Sequence, residues 1–91
     1  MPPKFQLGRI VATPGALAAL TEAGETPLSF LRRHAAGDWG NVDDEDRQEN
    51  ERSLSQGFRL LSAYTLASGV RIWIITEADR SSTCILLPEE Y

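Results

Sequence analysis

One cysteine, one lysine and one histidine in 91 residues leave little room for several kinds of chemistry. The single Cys84 excludes an internal disulfide, so the fold needs no oxidising compartment. A lone histidine and a lone cysteine cannot build a zinc site of the usual Cys/His kind, and neither metal nor cofactor is expected. No apolar run reaches the roughly 18–20 residues that a membrane span requires. The opening Met1-Pro2-Pro3-Lys4 lacks the charged-then-apolar layout of a signal peptide, which makes cytoplasm the expected location. No glycine-rich phosphate loop follows a strand, so nucleotide binding has no support. The net charge is −4, whereas binding nucleic acid means setting clustered Lys and Arg against phosphates. An acidic chain does that only through a local patch, and nucleic acid is a disfavoured partner.

The length fits a single domain, residues 1–91. A chain this short buries only about 60–65% of its unfolded surface, so pairing with a second copy is a natural source of extra burial. Residues 5–12 predict a short strand with a bulge or close backbone approach at Gly8. Thr13-Pro14 and Thr26-Pro27 each read as an N-cap followed by proline at the first helical position. Leu17 and Leu20 give the first helix its apolar face, and Gly24 stops it. Leu28, Phe30, Leu31 and Ala35 do the same for the second, with Gly37 as its end. A third helix starts near Asp43 with acids in its first turn, where the macrodipole favours them. It carries pairs Asp43–Arg47 and Gln48–Arg52 at i,i+4 spacing. Its apolar content is thin, and it belongs at the surface.

The last third is β-structure. Residues 58–66 and 70–77 alternate around Ala67-Ser68-Gly69, a three-residue hairpin loop, and residues 83–87 add a third strand after a turn over 78–82. Pairing about the first loop sets Tyr64 opposite Ile72, Ser62 opposite Ile74, and Arg59 opposite Glu77 as a cross-strand ion pair. The fold class is therefore α+β: a three-stranded antiparallel C-terminal meander, which an N-terminal strand can extend, with two to three short helices. One sheet face collects Leu60, Tyr64, Leu66, Val70, Ile72, Ile74 and Leu86. The other collects Leu61, Trp73, Ile75, Ile85 and Leu87, too apolar a block to face water. Either the helices divide between the faces, or a second molecule covers that block. Those five residues and Trp39, an aromatic type common at interface hot spots, are the interface candidates.

The polar candidates each have a plain structural explanation. His34 ends the second helix, where positive side chains are favoured. Cys84, placed opposite Thr76, reads as a small buried hydrophobe. The acids Asp43, Asp44, Glu45, Asp46, Glu49 and Glu51 interleave with Arg47 and Arg52 as a solvated helix face. Ser81, Asp79 and His34 supply triad residue types without a nucleophile elbow to frame the serine. Residues 77–82 gather polar groups at one sheet end as a turn.

Three stretches carry a resemblance. They are Leu7-Gly8-Arg9-Ile10-Val11-Ala12-Thr13-Pro14-Gly15-Ala16-Leu17, then Arg33-His34-Ala35-Ala36-Gly37-Asp38-Trp39-Gly40, then Ile75-Thr76-Glu77-Ala78-Asp79-Arg80-Ser81-Ser82 with Leu86-Leu87-Pro88-Glu89-Glu90-Tyr91. Together they resemble a family of short bacterial "plasmid-related" proteins, which implies a role on mobile DNA and transfers no catalytic residue. The order of helices before an antiparallel sheet is also similar to RelE-like ribonuclease toxins. That likeness implies His34, Arg59, Tyr64 and Arg71 as catalytic candidates, cations for phosphate and a group to move the 2′-hydroxyl proton. The chain departs from it in being acidic and in placing Tyr64 and Arg71 on opposite faces. The expected function is a non-catalytic, self-associating interaction module, with a homo-oligomer or another protein as partner and no membrane. The alternatives are a small RNA-cleaving toxin and an acidic DNA mimic.

Overall fold

A computed structural model describes residues 2–91. Its elements run β1 (Arg9–Ala12), α1 (Pro14–Ala23), α2 (Pro27–Ala35), α3 (Asp44–Gln56), β2 (Leu60–Thr65), β3 (Arg71–Thr76), β4 (Ser82–Leu86) and a C-terminal 3₁₀ turn, Pro88–Glu90. β2, β3 and β4 form the antiparallel meander, and β1 joins it parallel to β4, giving the order β1-β4-β3-β2. No helix among the described residues is long and apolar enough to cross a membrane.

The helix starts follow their capping residues. Thr13 accepts from the Ala16 N–H at 3.1 Å and caps α1, which Gly24 ends in the left-handed region. Thr26 makes no side-chain cap, and α2 stops at Ala35 with Ala36, not Gly37, as its C-cap. The Asp43 carboxylate accepts from the Asp46 N–H at 2.8 Å, and Gly57 terminates α3 at φ 75°. The ion pairs on α3 are Arg47–Asp44 and Arg52–Glu49, both i,i+3, in place of the i,i+4 pairs expected.

The N-terminal strand is shorter than residues 5–12. Gly8 turns the chain at φ 65°, and a Cβ there would sit 2.4 Å from the carbonyl oxygens of Arg80 and Ser81. The close approach holds, and it takes Phe5 out of the sheet to pack edge-on against His34.

The β2–β3 register is the expected one throughout, including Tyr64–Ile72 and Ser62–Ile74, and Arg59 meets Glu77 at 3.2 Å. β4 corrects the reading by one residue. Ser82 C=O accepts from the Glu77 N–H, so the connecting loop spans residues 78–81, with Arg80 at φ 61°. A loop one residue shorter flips every β4 side chain to the other face. Cys84 therefore lies opposite Ile75, Thr83 opposite Thr76, Ile85 beside Ile74, and Leu86 beside Trp73. Ile85 and Leu87 belong to the core side rather than the second face, and Leu86 goes the other way.

Both α1 and α2 pack on that core side; they do not divide between the faces. Ala16, Ala19 and Leu20 of α1 and Phe30 and Leu31 of α2 share one cluster with Tyr64, Leu66, Ile72, Ile74 and Ile85. Leu17 and Leu28 of the expected apolar faces are exposed instead. On the second face Ala63, Ile75 and Leu86 are nonetheless buried. The 3₁₀ turn packs against β3, the Tyr91 ring meets Trp73 at 5.7 Å, and the Tyr91 hydroxyl accepts from Arg59 at 3.2 Å. The chain's own C-terminus thus lies along this face.

Candidate functional site

Four polar side chains interrupt the core, and they join into one file. The ring of His34, fully buried, meets Ser62 Oγ through Nδ1 at 2.5 Å and Thr76 Oγ1 through Nε2 at 2.8 Å. Thr76 Oγ1 meets Thr83 Oγ1 at 2.7 Å, and Thr83 donates to the Leu7 carbonyl at 2.7 Å. A carbonyl only accepts, so the last bond orients the file as far as His34 Nε2. Thr83 spends its proton on Leu7 and accepts from Thr76. Thr76 in turn accepts from His34 Nε2–H, and Nδ1 accepts from the Ser62 hydroxyl. The file places a proton on Nε2, and burial keeps the imidazole neutral, which leaves Nδ1 as the acceptor. Burial, with the Arg80 charge nearby, pushes the His34 pKa down to about 4.

This placement overturns the reading of His34 as a helix-end cation: the ring is neutral and points into the core. The sequence did carry a signal. Ser62, Thr76 and Thr83 occupy inward positions between apolar neighbours, and buried hydroxyls need partners. Trp39 is likewise no exposed hot spot. It is 3% exposed, its ring stands edge-on to His34, and its Nε1–H donates to Glu51 at 2.8 Å.

The other catalytic candidates are not brought together. Tyr64 is buried, donates its hydroxyl to the Asp38 carbonyl, and carries the Arg33 guanidinium 4.6 Å above its ring. Desolvation pushes its pKa up to about 12, which makes it a hydrogen-bond donor and not a base at neutral pH. Arg59 is held by Glu77, and Arg71 stands exposed opposite Thr65. His34 bonds to Ser62 and Thr76, while Ser81 donates its N–H to Asp79, so the triad types are not assembled either. Cys84 is half-buried with its thiol pKa raised, chiefly by desolvation, which lowers its reactivity.

Two further features were missed in the sequence. Arg80 donates to the carbonyls of Phe58, Glu77, Ala78 and Ser53 at 2.7–3.1 Å, tying the turn to the end of α3. An open groove of about 480 Å³ is lined by Pro3, Arg32, Arg33 and Ala35 at the C-terminal end of α2. Arg33 there is paired with Asp38 at 2.8 Å, and cations at a helix C-terminus offset the dipole.

The free edge of β2 is closed. Asn50 of α3 donates to the Leu61 carbonyl at 2.7 Å and accepts from its N–H at 3.1 Å, as a neighbouring strand would. Ala63 exchanges main-chain bonds with Trp39 and Asn41, and the Asn41 side chain accepts from the Thr65 N–H. Gly40 makes this contact possible: at φ 74°, a Cβ there would lie 2.1 Å from the Ala63 carbonyl oxygen. The opposite edge, β1, has no such cover among the described residues, and Ile10 and Val11 are exposed on it. Comparison with protein-family models, curated proteins and solved structures found no match to this chain.

Proposed function

We propose that this chain works by docking rather than by catalysis, as a self-associating interaction module serving a mobile genetic element. The observation that carries the reading is the commitment of its reactive groups to the fold. Both His34 nitrogens are bonded in the core, the Tyr64 hydroxyl is held by Asp38, and Arg59 is neutralised by Glu77. General acid–base chemistry requires a group within reach of substrate, and none of these three offers a free one. The resemblance to plasmid-related proteins supports the mobile-element setting. The acidic α3 face is cut by two Arg–carboxylate pairs, which weakens it as a mimic of evenly spaced phosphates.

The test sets docking against RNA cleavage. Induced expression is expected to leave growth and cellular RNA intact, and Arg71→Ala is expected to change neither. Growth arrest with cleaved RNA, relieved by Arg71→Ala in a protein that still folds, would replace this reading with the toxin.

A further inference from the structure

We infer that β1 is the self-association edge, and that two copies join their sheets there antiparallel about a two-fold axis at Val11. This rests on the docking reading above and names its partner, a second copy of this chain. β1 meets β4 in parallel, with the Arg9 N–H bonded to the Ser81 carbonyl and the Thr13 N–H to the Ile85 carbonyl. Along a strand the main chain faces its two neighbours alternately. Arg9, Val11 and Thr13 therefore turn to β4, while the N–H and C=O of Ile10 and Ala12 turn outward. These four groups have no partner among the described residues. Since Asn50, Asn41 and the main chain around Gly40 close the β2 edge, β1 is the edge open to strand addition.

The register follows from which residues face outward. Pairing Ile10 with Ala12 of the second copy, and the reverse, gives four main-chain hydrogen bonds. A one-residue shift in the pairing sum would oppose outward groups to inward ones. Centring on Ile10 would instead require Gly8, which has turned away, and centring on Ala12 would require the missing N–H of Pro14. With the axis at Val11, the two Val11 side chains oppose each other in a non-hydrogen-bonded pair, where side chains approach most closely. Arg9 then falls opposite Thr13 of the second copy. The Thr13 hydroxyl donates to the Glu90 carboxylate at 2.6 Å, so a carboxylate stands at that position. Thr13 also holds the Glu90 pKa below the usual carboxylate range. Arg9 has no ion pair in its own chain among the described residues. Each end of the ribbon thus brings an unpaired cation to an anchored anion, and symmetry makes the complementarity double.

Sedimentation velocity up to millimolar concentration, with circular dichroism for folding, tests this. The wild type is expected to shift with concentration from its 10.0 kDa monomer mass to twice that. Ile10→Pro deletes an outward N–H that no bond within the chain uses, so it should stay folded and monomeric. Arg9→Glu and Glu90→Arg each set like charges together at both ends, and each alone should be monomeric. Mixing those two variants restores both ion pairs in a heterodimer, and the doubled mass should return. A dimer that survives Ile10→Pro, or variants that fail to complement on mixing, would overturn the β1 edge and leave self-association elsewhere in place. A wild type that stays monomeric throughout would overturn the edge and the self-associating reading together.

Discussion

His34 has an ordinary unfolded pKa near 6.5 and a folded one near 4, and that gap couples the fold to acid. Well above pH 6.5 the ring is neutral in both states, and pH has no leverage through it. As pH falls from 6.5 to 4 the unfolded chain takes up the proton first, so the folded state loses ground. The loss is about 3 kcal/mol across that window and levels off below it. His34→Gln should be less stable at neutral pH, because an amide cannot reproduce both ring contacts. It should also lose most of the slope between pH 6.5 and 4, which urea midpoints taken across the range would show. An unchanged slope would assign the acid sensitivity to carboxylates instead. The residue type was visible in the sequence, but its role was not. A histidine after two arginines at a helix end looks like a dipole-compensating cation until the sheet behind it is placed.

At the scale of elements, α3 docks through the Asn50 amide, the Glu51 carboxylate and the Ser53 main-chain carbonyl rather than through an apolar stripe. Its buried residues are Asn50 and Ser53, and Asn50 supplies both bonds that a missing strand would give Leu61. Asn50→Ala should therefore cost about 1–3 kcal/mol by leaving a part-buried N–H and C=O unpaired. Faster hydrogen exchange at the Leu61 amide should accompany the lower denaturation midpoint. Capping boundaries and the thin apolar content of α3 were legible from its sequence. The use of a polar residue to finish a sheet edge was not, because a buried asparagine and a solvated one look alike in a charged helix.

For the whole molecule, Ile75 distinguishes a covered face from a free one. It is 7% exposed, on the face where Tyr91 returns against Trp73. An unpaired buried carboxylate costs several kcal/mol, against a total stability of roughly 5–15 kcal/mol for a domain. Ile75→Asp should accordingly lose its circular dichroism signature at every concentration. A folded, monomeric Ile75→Asp beside a wild type that dimerises would instead make the second face the self-association surface.

What the sequence determined by itself was local: where the helices start, where α1 and α3 stop, and the first hairpin with its register. Alternation and an Arg59–Glu77 pair sufficed there, because a two-strand register depends on one short loop. The tertiary structure decided the rest. The β4 register turned on a single residue of loop length, which the left-handed Arg80 conformation absorbs. The side on which both helices pack, the buried hydroxyl file around His34, and the closing of one sheet edge but not the other all depend on contacts between distant residues. Local propensity carries no information about those contacts, since each is chosen by what must be buried or hydrogen-bonded once the chain has folded back on itself.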